Sequence, residues 1–162
     1  MDLSNRTILI TGSSDGIGKV LAIEFSKLGS NIILLGRDSS KLDQVYDQLD
    51  RSFKSQKHLI LQADLALLDN ESAHEILRAI TEEFISLDGI IHNAAILGSM
   101  TTLEDYELSR WDEVLNINLR APFLLTKTLK TVLERSKLPR IIFTSSGAVS
   151  YTHLTLPTIY SV

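Results

Sequence analysis

Short apolar runs alternate along this chain with longer stretches in which apolar positions recur every three or four residues. Thr7–Ile10, Asn31–Leu35, His58–Gln62, Gly89–His92 and Arg140–Thr144 are compact, and Ile- and Leu-rich runs of this kind predict buried strands. Between the first two, Ile17, Val20, Leu21, Phe25 and Leu28 follow helical spacing, and Gly29 suits the position just past a helix end. Lys41–Ser52 predicts a polar helix with Leu42, Val45, Tyr46 and Leu49 on one stripe. Glu71–Phe84 predicts another, with Ile76, Leu77, Ile80 and Phe84 at core spacing. Leu108 to about Glu134 predicts one long helix, bent or loosened at Pro122.

Nearly continuous apolar strands alternating with helices imply a parallel sheet covered on both faces. Right-handed crossovers then give an α/β, Rossmann-like doubly wound fold with strand order 3-2-1-4-5. At 162 residues and 44% hydrophobic, the chain can bury the core of one domain. A net charge of −4 argues against nucleic acid or anionic membrane as nonspecific partners. With no Cys there is neither a disulfide framework nor a thiolate zinc site, and no metal is expected. No apolar run is long enough to span a membrane, and Met1–Arg6 does not read as a signal peptide, so a cytoplasmic protein is expected.

Candidate chemistry begins where the first strand meets the first helix, at Thr11-Gly12-Ser13-Ser14-Asp15-Gly16-Ile17-Gly18. Such sheets bind ligands at the carboxyl ends of their strands. Gly12 permits a tight turn, Gly16 lets the backbone approach a phosphate, and Gly18 allows close packing of the helix. The helix N-terminus supplies N–H donors and partial positive charge, and Ser13 and Ser14 add hydroxyls. A plain turn also fits a glycine pattern, but the strand before and helix after favour a pyrophosphate. No Lys-Ser/Thr pair follows, so this is not a Walker loop. After the second strand comes Gly36-Arg37-Asp38, where an acid would accept from a ribose 2′-hydroxyl; Arg37 suits a 2′-phosphate instead, unless it is simply a solvated surface residue.

The loop resembles the Thr-Gly-x-x-x-Gly-x-Gly signature of the short-chain dehydrogenase/reductase family, and further motifs of that family follow in order. Asp64-Leu65 resembles its adenine-contacting pair, with a capping Asp as the alternative. His92-Asn93-Ala94-Ala95 resembles Asn-Asn-Ala-Gly, departing at both ends; His92 reads as a structural polar group. Trp111–Phe123 resembles the helix carrying the catalytic Asn, with Asn118 the better match than Asn116 and a structural role the alternative. Ile141–Ser146 resembles the strand carrying the catalytic Ser; Ser146 takes that role by register and Ser145 is the alternative. The Leu34-Leu35-Gly36-Arg37 run is most similar to the bacterial YciK-type branch.

The resemblance implies an oxidoreductase that moves a hydride between NADP, or less favourably NAD, and a small carbonyl or alcohol substrate. It implies Gly12, Ser13, Ser14, Asp15, Gly16, Ile17, Gly18, Arg37, Asp64, Leu65, Asn93, Ala94 and Ala95 at the cofactor, and a homo-dimer or homo-tetramer as the full-length parent. A nucleotide-binding sensor without chemistry is the alternative, although a pure binder needs neither Asn118 nor Ser146. The family's Tyr-x-x-x-Lys pair does not occur in the sequence: Thr155 follows Tyr151 at the Lys position, and no Lys comes after Lys137. Val149–Thr158 resembles, residue for residue, a translated transposase-type sequencing adapter. The expected organisation is therefore a nucleotide-binding domain over residues 1–147 and a non-native tail over 148–162. The chain as written is expected to be inactive, with its fifth strand an exposed edge and its solubility poor.

Overall fold

The computed structural model describes residues 3–145. Five strands, β1 (Thr7–Thr11), β2 (Asn31–Gly36), β3 (His58–Gln62), β4 (Gly89–His92) and β5 (Arg140–Phe143), form one sheet in the order β3-β2-β1-β4-β5. Every pairing is parallel, with Ile8 beside both Ile32 and Gly89, Ile33 beside Leu59, and Ile91 beside Ile142. This is the doubly wound α/β arrangement that the apolar runs imply.

Successive side chains of a strand point to opposite faces, so the central strands feed two cores. On one face, Leu9, Ile33, Leu35 and Ile90 pack with Ile76 and Ile80 of α3 (Asn70–Glu83) and with Leu125 and Leu129 of α5 (Ala121–Leu133). On the other, Ile8, Ile10, Ile32 and Leu34 pack with Ala22 of α1 (Gly16–Lys27) and with Leu42 and Val45 of α2 (Ser39–Tyr46). Burying one such Leu or Ile side chain contributes about 1.5–3 kcal/mol.

Three helical details differ from the sequence pattern. In α1 the buried stripe is Gly18, Ala22 and Ser26, spaced by four, while Ile17 and Val20 are exposed. Small residues bring this helix close to the sheet, and a stripe chosen by hydrophobicity misses them. The helix expected over Lys41–Ser52 ends at Tyr46. There the backbone bonds shorten to Gln48 N–H on Val45 and Leu49 N–H on Tyr46, and Asp50 N–H turns to the Ser26 hydroxyl of α1. Leu49 stays buried across this turn. The long helix is not one uniform α-helix. It runs as α4 (Leu108–Leu115), a π turn (Asn116–Arg120) and α5, with Ala121 N–H reaching the Asn116 carbonyl five residues back. Pro122 sits just after the π turn in the first turn of α5, where its missing N–H costs least.

Candidate active site

At the carboxyl ends of the strands a cleft of about 670 Å³ opens between the β1–α1 loop and the segments that follow β2, β3 and β4. Its location follows from topology: β1 and β4 are neighbours whose connections leave in opposite directions, which keeps the space between them open.

The β1–α1 loop is fixed from behind. Gly12 and Ser13 N–H both donate to the Leu35 carbonyl of β2, at 2.9 and 3.3 Å. Thr11 is buried, and its hydroxyl accepts from Asn93 N–H at 3.0 Å and Ala94 N–H at 3.1 Å. The Asn93 amide in turn donates to the Thr11 and Gly12 carbonyls, at 3.2 and 3.3 Å. Thr11 and Asn93 thus clip the two strand ends together. Thr11 was absent from the residues assigned to the cofactor; its place at the head of the glycine signature was the available signal.

The three glycines have separate tasks. Gly12 has φ +64°, and a Cβ there would lie 2.8 Å from Ala94 Cα. A Cβ on Gly18 would lie 2.3 Å from the Gly12 carbonyl oxygen, so this residue packs the helix against the loop itself. Gly16 has φ +54°, and a Cβ there would meet nothing within 4 Å. Its missing side chain leaves open space over the first turn of α1, where intrahelical partners for N–H groups are also lacking. This cradle fits a phosphate. Asp15 caps the same turn, its carboxylate accepting from Gly16 N–H at 2.7 Å.

The remaining assigned residues divide clearly. Ser14, Ile17, Arg37, Asp64, Leu65, Ala94 and Ala95 line the cleft with Gly12, Asp15, Gly16 and Asn93. Ser13 does not; it is buried, and its hydroxyl donates to the Leu35 carbonyl at 3.4 Å. Asp64 accepts from Ala66 N–H at 2.9 Å, which holds the turn after β3 and leaves its second oxygen uncommitted by that bond. Arg37 is exposed, with its carbonyl held by the Gln62 amide at 3.0 Å. Ile96, Ile117 and Thr144 also line the cleft, and no sequence motif singles them out. Ser146 lies outside the described residues.

Asn118 stands in the π turn and grips the segment after β4. Its side-chain oxygen accepts from Ile96 N–H and its amide donates to the Ile96 carbonyl, both at 2.9 Å. The residue four positions on is Pro122, which has no N–H, so the Asn118 carbonyl has no α-helical donor. His92 is buried behind the cleft. Its Nε2 meets the Thr126 hydroxyl at 2.9 Å, its ring stacks on Phe143 at 4.8 Å, and its Nδ1 has no hydrogen-bond partner among the described residues. Burial pushes its pKa down to about 4, which keeps it neutral near pH 7.

A doubly wound sheet with a glycine loop of this spacing, clipped by Asn93, defines a dinucleotide-binding domain. The family model for short chain dehydrogenase matches residues 6–161, and the chain belongs to that family. It is 34% identical over 145 residues to the uncharacterized oxidoreductase YciK of Escherichia coli K12, covering 90% of this chain and 57% of that protein. Among solved structures, a protein of Escherichia coli CFT073 in complex with NADPH superposes with a TM-score of 0.86 at 33% identity, over 94% of this chain and 63% of that one. A short chain dehydrogenase of Shigella flexneri gives 0.86 at 32% identity, over 99% and 63%. The chain therefore spans about three fifths of the length of these relatives.

Proposed function

We propose that this chain is the nucleotide-binding portion of an NADP(H)-dependent oxidoreductase acting on a small carbonyl or alcohol substrate. The observation that carries the reading is the cleft itself, which brings the open cradle at Gly16 and the cation of Arg37 to one strand-end surface. When bound, NADP(H) supplies or accepts a hydride at the nicotinamide ring. The first turn of α1 and the Gly16 cradle suit its pyrophosphate, and Arg37 suits a 2′-phosphate by charge-assisted hydrogen bonding. Asp64 and Leu65 suit the adenine, and Ala94 and Ala95 leave room for the nucleotide. Asn118 acts by position: its side chain is spent on Ile96, and its backbone carbonyl, which has Pro122 rather than an N–H four residues on, suits an ordered water. That arrangement favours an enzyme over a pure sensor, since nucleotide binding alone needs no such acceptor.

The related protein solved with NADPH supports the cofactor choice. Ser146 remains the proposed substrate-polarising hydroxyl. The general acid–base pair expected of the family is not among the 162 residues, and we read 148–162 as a non-native tail on a 1–147 domain. Resequencing the gene tests this; finding these codons there, in frame, overturns it. The exposed apolar residues Leu108, Trp111, Leu119 and Phe123 suit a subunit contact along the long helix, and the parent is read as a cytoplasmic homo-dimer or homo-tetramer.

Fluorescence titration with NADPH and NADH, on wild type and Arg37→Ala, tests cofactor choice. Loss of a charge-assisted contact is expected to weaken NADPH at least about tenfold and NADH little. Equal loss for both refutes the 2′-phosphate role.

A further inference from the structure

The charges lining the cleft do not by themselves suit an anionic nucleotide. Among its described lining residues are one cation, Arg37, and two acids, Asp15 and Asp64. Asp15 stands at the first turn of α1, where its carboxylate already takes the Gly16 N–H. Its other oxygen lies 3.9 Å from the Lys41 ammonium, which reaches over from α2. Lys41 is placed there by its own helix. Asp38 caps α2 by accepting from the Lys41 N–H at 3.1 Å, one turn after Arg37 leaves β2. Arg37 thus lines the cleft from the strand end, and Lys41 reaches its edge at Asp15 from the first turn of the helix.

We propose that Lys41 is a second specificity-determining cation for the 2′-phosphate, and that its pairing with Asp15 makes an acidic phosphate loop compatible with NADP. The inference rests on the NADP reading of the cleft. Against Asp15, Asp38 and Asp64, Arg37 alone leaves the corner two charges negative, and Lys41 brings it to one. A dianionic phosphate then meets less repulsion. The Lys41–Asp15 pair is exposed on both sides, and such a pair holds its partners weakly. Lys41 is thus free to exchange the carboxylate for a phosphate at little cost.

Adenosine 2′,5′-bisphosphate and 5′-AMP isolate this corner, because they differ in the 2′-phosphate and need no nicotinamide site. Their affinities for the full chain are measured by calorimetry on wild type, Lys41→Gln, Lys41→Arg, Asp15→Asn and Arg37→Ala, with Lys127→Gln as a remote charge control. Lys41→Gln is expected to weaken the bisphosphate about tenfold and 5′-AMP less than about twofold. Lys41→Arg should retain most of the affinity, and Asp15→Asn should raise it about threefold. Unchanged circular dichroism and urea midpoints exclude a folding effect. Equal weakening of both nucleotides by Lys41→Gln, or the same loss in Lys127→Gln, overturns the proposal. If Arg37→Ala discriminates between the nucleotides and Lys41→Gln does not, this inference fails while the NADP reading stands. If wild type itself does not favour the bisphosphate, both fail.

Discussion

Strands β2 and β5 have nearly the same chemistry and opposite surroundings. Asn31-Ile32-Ile33-Leu34-Leu35-Gly36 is buried from Ile32 onward, and Arg140-Ile141-Ile142-Phe143 is exposed throughout. Both pair in parallel, but β2 pairs on both sides, with β1 and β3, and β5, among the described residues, only with β4. Cover differs as well. β2 has α1 and α2 on one face and the α3 core on the other, whereas β5 is the edge of the described sheet. An apolar run therefore encodes the need for two covered faces, and the described residues meet that need at β2 and not at β5. Phe143, 61% exposed beside a wholly buried Leu34, marks the contrast.

The sharpest way to break this comparison is a matched pair of truncations. Leu34→Ala empties a site with no solvent access and is expected to cost about 3 kcal/mol in urea denaturation. Ile142→Ala removes a side chain that is already half in water and should cost under about 1 kcal/mol. Similar losses at the two sites would mean that β5 is covered in solution, by a second copy of the chain or by residues beyond 145.

His92 lies between these regimes, at the end of the covered β4 but stacked on the exposed Phe143. Its pKa is held at about 4 by burial, against 6.5 unfolded. Stability is therefore unaffected by this group above pH 6.5. It falls as the pH drops from 6.5 towards 4, where the unfolded chain binds a proton that the folded chain refuses, by at most ~1.4 kcal/mol per pH unit. Below 4 the slope from this group vanishes. Denaturation at pH 7 and pH 5 should show a smaller pH loss in His92→Asn than in wild type. An identical loss would locate the acid sensitivity elsewhere; Asp88 also loses stability on acidification, but only around and below its ordinary pKa of 3.8, outside the pH 5–7 comparison. Burial raises that carboxyl, but donation from Ser136, Thr7 N–H and Arg6 outweighs it and holds the pKa below the usual value of 3.8.

Most of this architecture was legible because apolar strands and glycine punctuation report burial and turns directly. Strand order followed from alternation and handedness, and the Thr11–Gly18 spacing located the cleft before any geometry was known. What stayed hidden was local competition. Ser13 looks like a donor in sequence, yet the turn imposed by Gly12 points it at the Leu35 carbonyl. The face of α1 was misread because Gly18, Ala22 and Ser26 pack by being small. The π turn has no composition of its own; it becomes visible only when Asn118 is seen gripping Ile96. The Lys41–Asp15 pair joins two elements 26 positions apart, a separation that no local pattern reports.

The finest version of the comparison is at helix starts. In the covered half, α3 begins with a capping box: Asp69 accepts from Ser72 N–H at 2.8 Å, and the Ser72 hydroxyl accepts from Asp69 N–H at 3.0 Å. The helix α4 is preceded by Glu107, which makes no side-chain cap bond, and none of its residues is buried. A cap contributes to the stability of the whole fold as far as packing couples its helix to that fold. Asp69→Ala should therefore lower Tm by about 3 °C, and Glu107→Ala should leave it within about 1 °C. Donation from the Ser72 side chain, followed by that from its backbone, also holds the Asp69 carboxyl below its ordinary pKa. The Asp69 contribution is thus complete above pH 3.8 and disappears as the pH falls through the lowered value. Equal shifts from the two substitutions would show that Glu107 caps α4 and that α4 is coupled to the fold as α3 is, and the contrast between the two helix starts would lose its basis.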